Sequence, residues 1–287
     1  MSNPTSAERP LAVVTGASAG IGTVFARKLA ARGYDLLLIA RREDRLRSLA
    51  AEITETHRVN ATFMAADLAN ESDLDRVAGR IRSEPRLGLL VNNAGFGTQG
   101  YFFETDVRGQ EQMHRVHVIA TMRLTHSALA NLVPRNSGGV INVASVAGFG
   151  QSPMSVSYCA TKTWINSFSE GLAIELSIKA PSVRMQALCP GFTLSEFHDV
   201  VGMDRSAIPK ALWMSADFVV EESLRGFDQG KLFVIPGWRY KLLVAGMRLM
   251  PGALLRRFTV AGAKRMRKPL TNAETMQPTK RPNTSGE

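Results

Sequence analysis

Short apolar runs recur along the chain at residues 11–15, 35–40, 61–66, 87–92, 139–145, 183–189 and 231–235, and the stretches between them alternate polar and apolar residues at helical spacing. Runs so short and so uniformly apolar suit strands buried on both faces, and the helical stretches suit crossover connections. The pattern predicts an α/β fold, a doubly wound parallel sheet of about seven strands with helices on both faces. A chain of 287 residues, 45% of them hydrophobic, can bury one large core, so a single domain over 11–238 accounts for the periodic part. After it the pattern changes. From Lys241 to Lys268, Leu, Met, Val and Phe are mixed with lysine and arginine and no acid, which predicts a basic amphipathic helical extension over 239–268, divided at Pro251 and Gly252. Residues 1–10 and 269–287 read as tails, the second polar and disordered.

In an open parallel sheet, ligands sit at the carboxyl ends of the strands, and the polar residues there carry the candidate chemistry. The first strand, LAVVT, runs into GASAGIG and then into the amphipathic stretch TVFARKLAARG. Gly16 suits a tight turn, Gly20 a close approach of backbone to a pyrophosphate, and Gly22 close helix packing. The new helix N-terminus offers free N–H groups to phosphates, with Ser18 and Ile21 inside the turn. Further along, VINVAS ends on Ser145, and Tyr158 and Lys162 follow four residues apart in SYCATKTW. On a helix, that spacing puts phenol and ammonium on one face. An ammonium favours phenolate and would lower a tyrosine pKa from its usual value of about 10, leaving Tyr158 to move a proton while Ser145 hydrogen-bonds a substrate oxygen.

These motifs, with Asn92-Asn93-Ala94-Gly95 after the fourth run and Pro190-Gly191 after the sixth, resemble the short-chain dehydrogenase/reductase family from about residue 10 to about 237, on its single-domain reductase branch. The resemblance implies a Rossmann-type fold and carbonyl–alcohol chemistry by hydride transfer, with Ser145, Tyr158 and Lys162 catalytic. It also implies that Asp67 and Leu68 contact adenine, that Asn92 and Gly95 wall the cofactor, that Gly191 and Thr193 lie at the nicotinamide end, and that residues 193–216 close over the substrate. Where NAD-specific proteins of this fold carry an acid after the second strand, this chain has Arg41 and Arg42. Guanidinium groups suit a 2′-phosphate, so NADP(H) is favoured over NAD(H), with Arg41 at that phosphate and Ser18 as its hydroxyl partner. One position departs from the family: where many members have an asparagine that holds a relay water, this chain has His117. The sequence leaves open whether it joins the proton relay, adding a pH dependence, or is a core histidine satisfied by a backbone carbonyl.

Phe96, Phe149, Pro153, Met154, Phe197, Val200, Val201, Met203, Ile208, Leu212, Trp213 and Met214 predict an apolar pocket and a hydrophobic carbonyl or alcohol substrate, and His198 lies in the same loop. No histidine or cysteine has a metal spacing, and two cysteines and an N-terminus without an apolar core suit a cytoplasmic protein. Residues 229–287 hold twelve basic and two acidic residues, a net of +10, the whole of the chain's excess. That charge points to an anionic membrane surface, with packing on the domain or a second subunit as the competing reading. The basic stretch lacks interleaved Tyr or Trp and any nucleic-acid reader motif, so nucleic acid is not an expected partner. The family resemblance implies a homodimer or homotetramer through helices around 104–131 and 155–179. A non-catalytic NADP-binding sensor or membrane-associated scaffold is the alternative function.

Overall fold

The computed structural model describes residues 9–98, 100–196 and 208–266. Seven parallel strands form one sheet: β1 (Leu11–Thr15), β2 (Asp35–Ala40), β3 (Ala61–Ala65), β4 (Leu87–Asn92), β5 (Gly139–Val143), β6 (Arg184–Leu188) and β9 (Phe233–Val234). Their order, β3-β2-β1-β4-β5-β6-β9, steps outward from β1 in both directions, so the chain reverses its winding between β1 and β4. All seven runs predicted from hydropathy become strands of this sheet. A two-residue ladder, β7 (Thr193–Leu194) with β8 (Met214–Ser215), was not predicted. It ties together the two ends of the expected substrate loop, whose residues Phe197, His198, Val200, Val201 and Met203 lie outside the described residues.

Alternation along each strand divides the core. Ala12 and Val14 of β1, with Leu36 and Leu38 of β2, face α1 (Gly20–Ala31), α2 (Glu43–His57) and α7 (Ala216–Asp228), packing on Phe25, Leu29, Leu46, Ile53 and Val220. Leu11, Val13, Leu37 and Ile39 face the other way, toward Leu74 and Val77 of α3 (Glu71–Arg82), Leu124 and Leu132 of α5 (Thr121–Arg135) and Leu176 of α6 (Val156–Lys179). Full burial of such side chains contributes about 1.5–3 kcal/mol each. The two faces together make the central strands buried on both sides, as their uninterrupted apolar sequences require.

The chain divides into two compact units, Met1–Met250 and Pro251–Glu287. This moves the boundary drawn at 239. Helix α8 (Trp238–Leu249) belongs to the first unit, where Tyr240 and Val244, four residues apart, are buried while Lys241 and Leu242 face solvent. The basic charge of the stretch gave no sign of that inward stripe. The second unit contains α9 (Gly252–Met266), with Leu254, Phe258 and Val260 exposed. Among the described residues no helix is long and apolar enough to cross a membrane.

Candidate active site

Ser145 follows β5 by two residues and N-caps a 3-10 turn at Val146–Phe149, its Oγ accepting from the N–H of Ala147 at 3.1 Å. Tyr158 stands in the first turn of α6, and its hydroxyl is hydrogen-bonded with Ser145. Lys162, one turn on and buried, donates from Nζ to the carbonyl of Val143 at 2.8 Å, and Nζ lies 5.6 Å from the centroid of the Tyr158 ring. The three predicted catalytic residues are thus brought together where β5 ends.

Their electrostatics differ from the sequence expectation. Burial pushes the Tyr158 phenol up to about 12, against a downward pull from the hydrogen bond with Ser145. Burial also draws Lys162 down to about 8. The pull that lowers Tyr158 comes from Ser145, while the Lys162 ammonium donates to the Val143 carbonyl and desolvation disfavours both charged forms.

His117 occupies the middle of a π-helical turn, Arg115–Ala120, inserted between α4 (Val107–His114) and α5. Such turns widen the helix by one residue and recur at functional sites. The imidazole is buried, and both ring nitrogens are used. Nε2 accepts from the N–H of Phe96 at 3.2 Å, which assigns the proton to Nδ1, and Nδ1 donates to Thr161 Oγ1 at 2.9 Å. Thr161 Oγ1 in turn donates to the carbonyl of Tyr158 at 2.8 Å. Desolvation by burial, then the nearby Lys162 charge, hold His117 well below the usual imidazole value. The satisfied-histidine reading therefore describes its contacts, with a threonine and a backbone N–H as partners in place of the carbonyl expected, and the ring stays neutral through the physiological range. A Cβ on Gly95 would come within 2.7 Å of Nε2, so this glycine leaves room for the imidazole. His114 Nδ1 bonds the carbonyl of Gln110 at 2.8 Å, and His126 is exposed.

At the glycine turn, Gly16 and Gly20 have φ of +65° and +53°, open to glycine at little cost. A Cβ on Gly22 would meet the carbonyl oxygen of Gly16 at 2.3 Å, so the third glycine is needed to fold the turn onto its helix. The N-cap residue of α1, Ala19, offers no side-chain cap and the first turn carries no acid, which suits its N–H groups to an anionic group such as a pyrophosphate. Ile21 is partly buried against the core beneath. Asn93, a motif residue with no separate role assigned from the sequence, clamps the turn to β4: its Nδ2 donates to the carbonyls of Thr15 and Gly16 at 2.9 and 3.3 Å.

Other residues expected at the cofactor make contacts within the protein. Asn92 turns inward, its Nδ2 donating to Thr125 Oγ1 at 3.0 Å and to Asn142 Oδ1 at 2.9 Å, so its side chain builds the interior of the sheet. Asp67, after β3, caps its own turn by accepting from the N–H of Ala69, and Leu68 is buried. Thr193 is buried with Oγ1 donating to the Gly191 carbonyl at 3.0 Å, and a Cβ on Gly191 would enter the Tyr240 ring. After β2 it is Arg42, not Arg41, that reaches Ser18: its Nε and Nη2 donate to the hydroxyl at 3.3 and 3.2 Å. A hydroxyl and a guanidinium side by side fit the phosphate expected there, and Arg41 is exposed beside them. No cluster of metal-binding side chains occurs among the described residues.

A family described as short chain dehydrogenase matches residues 10–205. The chain is 34% identical over 193 residues to a very-long-chain 3-oxoacyl-CoA reductase of Laccaria bicolor, a match covering 66% of this chain and 56% of that protein. The chain spans between 56% and 61% of the length of three such curated relatives. A short-chain dehydrogenase from Sphingobium yanoikuyae solved with NADPH is 32% identical, covering 92% of this chain and 99% of that one, with a TM-score of 0.75. A protein from Burkholderia phymatum solved with NAD is 21% identical over 94% of this chain and 100% of that one, TM-score 0.74, and shares the fold.

Proposed function

The chain belongs to the short-chain dehydrogenase family, and on that footing we propose that it is an NADP(H)-dependent oxidoreductase interconverting an apolar ketone or aldehyde and its alcohol. The observation that carries this reading is the hydrogen-bonded pair of Ser145 and Tyr158 at the carboxyl end of β5, with Lys162 one turn behind. When bound, the nicotinamide cofactor supplies or accepts the hydride. Ser145 holds the substrate oxygen, and Tyr158 gives it a proton or takes one from it. A phenol raised to about 12 is protonated across the neutral range, so it enters as an acid, which suits reduction; the oxidising direction needs phenolate and works against the same burial. The role proposed for Lys162 is to counter that burial, which requires its ammonium to leave the Val143 carbonyl. Arg42 and Ser18 support the choice of NADP(H) over NAD(H).

Phe149, Met154, Trp213 and Met214, and the acyl substrate named for the Laccaria relative, support an apolar substrate. The proposal extends to a homodimer or homotetramer through the exposed Val107, Ile119, Met122, Ile174 and Ile178, and to a cytoplasmic protein whose basic α9 segment meets anionic membrane. The experiment is a panel of hydrophobic ketones and aldehydes followed by cofactor absorbance, with Tyr158→Phe as control. The variant is expected to bind NADPH and lose turnover by at least about 10²-fold. NADPH binding by the native protein without turnover on any compound in either direction would sink the reductase reading in favour of a non-catalytic sensor.

A further inference from the structure

The adenosine end of the glycine turn carries a contact that the proposed reaction does not require. The two carboxylate oxygens of Glu196 are taken by two arginines of the β2–α2 corner: Arg42 Nη1 at 2.9 Å and Arg45 Nη1 at 2.6 Å. Arg42 turns its other N–H groups on Ser18, reaching the hydroxyl and, from Nη2 at 3.3 Å, the carbonyl. Glu196 is far from this corner in sequence and arrives with the segment that follows β7. Its neighbour Ser195 lies so close over Gly20 that a Cβ on that glycine would stand 2.9 Å from the serine Cβ. The described part of the segment is therefore seated across the glycine turn, with its carboxylate on the cations beside Ser18. Below them a hollow of about 240 Å³ is lined by Ala17, Thr23, Asp44 and Ser48 as well as Ser18 and Arg45.

We propose that Glu196 is a specificity-determining residue, an internal anion that sets how strongly this chain favours a cofactor bearing a 2′-phosphate over one without it. The inference rests on the reading of Arg42 and Ser18 as the phosphate partners. A carboxylate on Arg42 and Arg45 neutralises the charge that would draw in a phosphate, and it repels the phosphate itself. A cofactor with a free 2′-hydroxyl meets neither effect. Arg42, Arg45 and Glu196 are all close to half exposed, and ion pairs of that kind are weak, so a doubly charged phosphate, the better partner for a guanidinium fork, can displace the carboxylate. Glu196 thus moderates the preference without abolishing it.

The test measures dissociation constants of the full chain and of Glu196→Gln for NADPH, NADH, 2′,5′-ADP and 5′-AMP by calorimetry, at low and high salt. Glutamine keeps the shape and removes the charge, and the melting temperature checks that the fold is intact. The expected result is that the variant binds NADPH and 2′,5′-ADP about 3- to 10-fold more tightly while NADH and 5′-AMP stay within about twofold, the gain shrinking at high salt. An unchanged or weaker affinity for the 2′-phosphate ligands, or an equal gain for all four, would overturn the proposal; weakening would mean that Glu196 aligns Arg42 for the phosphate. Failure of the underlying reading looks different. There the native chain would bind 2′,5′-ADP no better than 5′-AMP, and Arg42→Ala would not alter the ratio.

Discussion

Lys162 is held in a place that costs stability. The unfolded chain keeps this proton up to the ordinary 10.5 while the folded chain releases it near 8, so unfolding takes up a proton between those values. Stability therefore rises with pH across that window, and the penalty of burying the ammonium is fully present below it. The shift corresponds to about 3 kcal/mol, of which about 1 kcal/mol would be returned if the Val143 carbonyl lost its donor. Lys162→Met is accordingly expected to abolish turnover while raising stability at neutral pH by about 1–2 kcal/mol, an advantage that fades in urea titrations as pH rises from about 8 to 10.5. A variant less stable than the native chain at pH 7 would contradict this account. The four-residue spacing of Tyr158 and Lys162 was legible in the sequence because one helix carries both. The partners of His117 were not, since Thr161 and Phe96 reach it from two other elements, and Glu196 was invisible because the pairing of its carboxylate depends on where a distant loop lands.

At the level of elements, α8 shows how composition can mislead. Its basic residues suggested an appendage, yet the hydroxyl of Tyr240 accepts from the N–H of Phe192 at 3.0 Å and donates to the carbonyl of Leu212 at 2.7 Å, joining the connection between β6 and β7 to the turn before β8. Arg248 lies with its guanidinium carbon 4.8 Å from the Phe149 ring centroid and 5.3 Å from that of Phe233. The helix therefore braces both ends of the expected substrate loop and the turn that begins at Ser145. Tyr240→Phe removes both hydrogen bonds from a buried position and is expected to cost about 1–3 kcal/mol in chemical denaturation. KM for the carbonyl substrate should rise more than kcat falls, because the wall between Phe192 and Trp213 loosens while Ser145 and Tyr158 keep their places. A fall in kcat alone would show that the brace acts on the chemistry. The places of the strands, by contrast, were legible: the glycine turn, Asn92-Asn93, Ser145 and Pro190-Gly191 each follow the end of one apolar run, while the order in which the strands lie side by side was not read from the sequence.

On the scale of the whole molecule, the basic excess straddles the packing boundary at Met250. Residues 251–287 carry eight basic and two acidic residues, a net of +6. A chain ending at Met250 keeps Tyr240 and Val244, so its melting temperature should match that of the full chain, whereas one ending at Gly237 should unfold at markedly lower temperature. If α9 serves a membrane, the full chain floats with anionic vesicles at low salt and the chain ending at Met250 does not; equal flotation of the two would remove the membrane role. The order of the sheet also bears on synthesis. β1 lies between β2, which follows it closely, and β4, which ends only at Asn92. Until the ribosome has released that residue, a strand destined for the centre of the molecule has one ladder of N–H and C=O groups open beside Leu11, Val13 and Val14, an edge on which another nascent chain can pair.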